Sequence, residues 1–98
     1  MTPAAVLRAA AALIEHEGWI QGDYFRPGEG YCVLGAIRDS AQEVFGHPVT
    51  VGACKAVRDM VGISGPASIS LWNDSPKRTQ AEVITTLRAA ADKAEQES

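Results

Sequence analysis

The chain is poor in the residues that usually betray a chemistry. It has two cysteines, two histidines and six aromatic residues, and its longest wholly apolar run is the short stretch 9–14. That run is far below the roughly 20 residues a membrane-spanning helix needs, and Glu15 and Glu17 follow it at once. Neither a transmembrane segment nor a signal peptide is expected from it. The nine lysines and arginines are scattered, with Lys77 and Arg78 their sole adjacent pair. Phosphate binding needs a basic stripe or cluster, so neither nucleic acid nor an anionic membrane surface is expected as a partner.

Two cysteines are too few for a disulfide scaffold. Cys32 and Cys54 each read as lying in the first turn of its own helix. In a helical hairpin that arrangement separates them by about 22 Å, far beyond bridging distance. Free thiols and a cytoplasmic location follow. The sequence has no Cys-x-x-Cys, and His16 and His47 stand 31 positions apart. No spacing therefore supports a zinc site, including a Cys32, His47, Asp74 set. Gly28-Glu29-Gly30 lacks the Lys and Ser/Thr of a phosphate loop. No metal and no cofactor is expected.

What is present is helical periodicity. Ninety-eight residues make one domain, 1–98, with positions 95–98 at a frayed end. The first helix is expected over residues 3–17, with Thr2 as N-cap, Pro3 at the first position and Gly18 as a left-handed stop. Its stripe is Val6, Leu7, Ala10, Leu13 and Ile14. Residues 18–30 hold four glycines and a proline and read as a long loop. A second helix is expected over 31–45, with Val33, Leu34, Ile37, Ala41, Val44 and Phe45 on its apolar face. Its other side opens with Cys32, Gly35 and Ala36. A helical glycine costs about 1 kcal/mol, which close approach of another backbone would offset, so this helix is expected to be central.

The third helix is expected over 51–61, capped by Thr50 and stopped by Gly62. The connector after it holds Ile69-Ser70-Leu71-Trp72, which reads as a helical turn. Thr79-Gln80-Ala81-Glu82 is a capping box that opens the fourth helix, whose core stripe includes Val83, Ile84, Leu87, Ala90, Ala91 and Ala94. The fold class is all-α: four helices in a compact bundle, the first and fourth flanking the second, with the long loop folded back over the start of the second helix near Trp72.

Five of the six aromatics lie in or beside the two connectors: Trp19, Tyr24, Phe25, Tyr31 and Trp72. Together with Arg26 they have the composition of a binding hot spot. For the tryptophans a second reading is that they pin the loops to the bundle, with the indole N–H groups bonded locally. Cys32 at a helix start, with His47 and Asp74 in reserve, has the parts of a thiol nucleophile, a base and an orienter. A small buried cysteine in a tight helix crossing explains the same residue. Trp72-Asn73-Asp74-Ser75-Pro76 reads as an Asx-type turn that sets the entry of the last helix, with Asp74 in reach of Arg78.

Four segments taken in order carry a resemblance. Trp19-Ile20-Gln21-Gly22, Cys32-x-x-Gly35-Ala36-Ile37, Trp72-Asn73-Asp74 and Arg78-Thr79-x-x-Glu82-Val83 resemble a group of short proteins of unknown function from actinobacteria and their phages. The resemblance implies an actinobacterial or phage source and a cytoplasmic location. It also implies that Trp19, Cys32, Gly35 and Trp72 serve one shared structural feature, and it carries no activity or catalytic residue. The functional expectation is a small protein-interaction module, phage- or mobile-element-associated, that binds a partner protein or a second copy through Tyr24, Phe25 and Arg26 with Trp19 and Trp72. The alternative is a small-molecule-binding or thiol-dependent enzyme domain built on Cys32, His47 and Asp74.

Overall fold

The computed structural model of the chain describes residues 2–42, 47–65 and 67–97. Helix α1 spans Pro3–Glu17, as the sequence signals require. The Thr2 hydroxyl accepts a hydrogen bond from the Ala5 N–H at 3.1 Å, and proline occupies the first turn, where a missing N–H costs nothing. Gly18 ends the helix at φ +106° but with an extended ψ of 167°, not in the left-handed helical cap expected. The chain therefore leaves α1 extended, and Trp19 makes a single bridge to Tyr31.

Residues 18–31, expected as a loop, carry a small two-stranded sheet. Strand β1 (Phe25–Arg26) pairs antiparallel with β2 (Gly30–Tyr31), Phe25 opposite Tyr31. Trp19 bridges Tyr31 in parallel on the other side of β2. Tyr31 donates to the Gly18 carbonyl at 3.0 Å and accepts from the Ile20 N–H at 3.1 Å. Its backbone is thus committed to the sheet and cannot open a helix. Gly18 and Gly30 cross so closely that a Cβ on Gly30 would collide with the Gly18 backbone.

Helix α2 accordingly starts at Val33, not at Tyr31, and spans Val33–Ala41 with Cys32 as its N-cap. Val44 and Phe45, placed on its apolar face from sequence, lie outside the described residues. Helix α3 spans Pro48–Val61 and starts earlier than expected: His47 is the N-cap, its Nδ1 accepting from the Val49 N–H at 3.3 Å. Thr50 is buried inside the helix and does not cap it. Cys54 falls mid-helix, not in a first turn. A short helix α4, Ser68–Asn73, fulfils the helical-turn expectation. Helix α5, Gln80–Gln96, begins at Thr79, whose hydroxyl accepts from the Glu82 N–H at 3.2 Å. The Glu82 carboxylate turns to Arg78 at 2.8 Å.

The architecture is mostly helical, with five helices and a two-stranded sheet among the described residues, where a four-helix bundle was expected. The central helix is α1, not the second helix: α1 packs against α5, α2 and α3 and touches β2. Its alanines explain this. Ala4, Ala10 and Ala11 are buried and let neighbours approach from several sides, whereas the hairpin occupies one side of α2. The core between them holds Leu7, Ile14, Ile37, Val57, Ile69 and Leu87, all essentially inaccessible. Each such side chain contributes roughly 1.5–3 kcal/mol. Arg8 bonds Asp92 at 2.8 Å and Glu95 at 3.1 Å across the α1–α5 seam, and Arg88 meets Glu15 at 3.3 Å. These pairs are exposed and orient the helices more than they stabilise them.

Candidate functional site

The aromatic hairpin is held to the helices by one buried amide. Asn73, the last residue of α4, is 0% exposed. Its Oδ1 accepts from the Trp19 indole N–H at 2.8 Å and from the Val33 N–H at 3.0 Å. Its Nδ2 donates to the Ile20 carbonyl and to Asp74 Oδ1, both at 3.0 Å. Two acceptor and two donor positions exhaust what an asparagine side chain offers. Val33 is the first residue of α2, so its N–H is one of the donors a helix start leaves open. Asn73 satisfies that donor, and Cys32 Sγ takes another from Gly35 at 3.3 Å.

Three further side chains tighten the join. Gln21 Nε2 donates to the carbonyls of Asn73 at 3.0 Å and Ser75 at 2.8 Å. Asp74 Oδ1 accepts from the Gly22 N–H at 3.0 Å, which replaces the contact with Arg78 expected from sequence. Arg78 instead donates to the Trp72 carbonyl at 2.9 Å and lies 4.0 Å over the Trp72 ring. Trp19 and Trp72 are thus half-buried against the core, the Trp19 N–H bonded to Asn73 and the Trp72 ring covered by Arg78.

Beyond this knot the hairpin turns outward. Tyr24 and Phe25 are 48% and 46% exposed. Phe25 stacks on Tyr31 with ring centroids 4.7 Å apart, and the Arg38 guanidinium lies 5.2 Å over the Tyr24 ring. The hairpin can lie this low because Gly35 of α2 has no side chain: the Tyr24 carbonyl sits where its Cβ would be. This is the close backbone approach that the glycine foretold. The Tyr24 carbonyl also accepts from the Cys32 N–H at 3.1 Å. Arg26 clasps the turn, donating to the Gln21 carbonyl at 2.9 Å and lying 3.7 Å from both Asp23 and Glu29. Between hairpin and α2 runs a groove of about 280 Å³ lined by Tyr24, Phe25, Tyr31, Gly35, Arg38 and Asp39.

On the other side of Tyr24 a second cleft of about 280 Å³ opens between hairpin and α4. Cys32 and Asp74 both line it, with Gly22, Asp23, Tyr24 and Ser70. His47 lies at the start of α3 and is not part of that lining. Burial pushes the Cys32 thiol above its ordinary pKa, and the Asp74 charge adds to this, against the N–H bonds from the helix start. The thiol is therefore protonated at neutral pH. Cys54 is buried and shifted upward for the same leading reason. Both cysteines are free thiols. Among the described residues no three His, Cys, Asp or Glu side chains gather where they could hold a metal ion. No helix there is long and apolar enough to cross a membrane.

The join is built from the very segments that carry the resemblance noted above: Trp19 to Gly22, Cys32 to Ile37, Trp72 to Asp74 and the Arg78 stretch. A family model matches residues 1–93. The chain belongs to DUF6197, a family of unknown function. No curated protein and no solved structure matches it. For this DUF6197 member the sequence alone hid Asn73 as the pivot, because an Asn-Asp pair before Ser-Pro has a sufficient local explanation as a turn. It hid Arg38 as a neighbour of Tyr24 because the two residues meet only once the hairpin folds onto α2.

Proposed function

We propose that this protein is a small interaction module that binds a partner protein through the exposed face of the hairpin, with Tyr24 and Phe25 as anchors and Arg26 beside them. One observation carries the reading: two aromatic rings stand half-exposed on a hairpin whose backbone is fastened to α2 and α4. Rigid aromatic side chains lose little entropy on binding, and a fastened loop has already met its ordering cost. Trp19 and Trp72 serve the same surface from beneath, as its supports. Two buried free thiols suit a reducing cytoplasm, and phage or mobile-element association comes from the sequence resemblance.

The test is a pull-down from lysate of the source organism, wild type beside a Tyr24→Ala/Phe25→Ala/Arg26→Ala variant with an unchanged circular dichroism spectrum. A protein retained by the wild type and lost by the variant is the expected result. Equal retention by both would sink the reading. A second reading rests on Cys32 and Asp74 sharing the cleft beside α4, and it assigns that cleft a small-molecule ligand. A buried, protonated thiol suits packing against such a ligand better than attacking it. Ser70→Trp, which fills the cleft, should abolish fragment binding observed by NMR.

A further inference from the structure

We propose that the partner of the hairpin face is a second copy of this chain, docked about a two-fold axis so that each Phe25 enters the other copy's groove. The proposal rests on the interaction reading above and gives that surface its occupant. A two-fold contact uses one patch twice, so the patch must complement itself. This one does so in shape: Tyr24 and Phe25 form both the exposed ridge and one wall of the adjoining groove. It does so in charge as well. Arg38 and Asp39 sit side by side on α2 at the groove. A two-fold axis near them brings Arg38 of each copy to Asp39 of the other, so neither sign meets its like.

The size of the face sets the strength. A standard interface takes about 800 Å² from each partner. That is roughly one-seventh of this chain's 5379 Å² surface, and a short hairpin with one flank of a nine-residue helix sits at the low end of it. The dimer is accordingly a reversible one that forms with rising concentration.

Sedimentation equilibrium of the whole chain up to about 1 mM tests this. The wild type should pass from monomer to dimer. Arg38→Glu and Asp39→Lys should each weaken dimerisation at least about tenfold by setting like charges across the axis, and the double variant should recover it. Recovery in the double variant cannot come from misfolding. Phe25→Ala, which leaves α2 untouched, should also yield monomer. A wild type that stays monomeric throughout overturns the second copy. If that monomer still captures a Tyr24- and Phe25-dependent protein in the pull-down, the interaction reading survives with another partner. A dimer indifferent to both the charge swaps and Phe25→Ala overturns the proposal as well, because it uses a different face.

Discussion

Two joins hold this molecule together, and they work by opposite physics. Where α1 meets α5 the contact is apolar side chain on apolar side chain: Leu7, Ile14, Val83 and Leu87 are fully buried. Where the hairpin meets α2 and α4 the contact is a buried amide with four directed hydrogen bonds. The apolar join is non-directional and tolerates repacking among residues of similar volume. The polar join admits one geometry, since each of its groups is stranded if one leaves. The first supplies stability, and the second fixes where the exposed aromatics stand.

The largest effect should come from Asn73→Leu. It removes the one group that serves the Trp19 N–H, the Val33 N–H and the Ile20 carbonyl, leaving buried donors and an acceptor unpaired. The expected loss is about 4 kcal/mol in urea unfolding, at roughly 1–3 kcal/mol for each stranded group. A variant as stable as the wild type would show that the amide is ornamental and the contrast false. Leu87→Ala should follow at about 3 kcal/mol, with the Trp19 indole resonance unmoved, because the cavity opens at the other join. Should that resonance shift as much as in Asn73→Leu, the two joins are one cooperative unit. Gln21→Ala should cost about 1 kcal/mol, since water can reach the Asn73 and Ser75 carbonyls it releases; amide exchange at Gly22 would register the local loosening.

The smallest effect is one of pH. The Cys32 thiol is raised in the folded chain, so the fold favours the neutral form. Its contribution is complete below the ordinary thiol value of 9.0 and is lost as pH rises through the higher folded value. The wild type should therefore shed stability above pH 9.0 faster than Cys32→Ala does. Native Cys32 should also resist alkylation at neutral pH until the chain is unfolded; prompt modification would mean the cleft floor is more open than its burial indicates.

The two joins also differed in how far the sequence disclosed them. Helix α1 was legible to the residue, because Thr2, Pro3 and Gly18 are local signals and the Val6–Ile14 stripe repeats at helical spacing. The start of α5 was legible from Thr79 and Glu82. The hairpin was not: its strands are two residues each, too short to alternate, and they form because Tyr31 finds Gly18 and Trp19 across the chain. Gly35 announced that some backbone passes close, but not that it is Tyr24. Asn73 announced a turn, and its use as a long-range clasp depends on partners 40 to 54 positions away. The candidate surface was legible in composition, as aromatics crowded into a loop, while the groove beside it needed α2 in place.

The Asn73 clasp also imposes an order in time. Residue 73 follows Val33 by 40 positions. At about 5–20 residues per second, a ribosome completes the hairpin roughly 2–8 seconds before it makes the residue that fastens it. During that interval Tyr24, Phe25 and Trp19 belong to an unanchored segment of nascent chain. The hairpin is therefore fastened only once residue 73 is made, by an amide that bonds the Trp19 indole beneath and neither of the exposed rings, Tyr24 and Phe25.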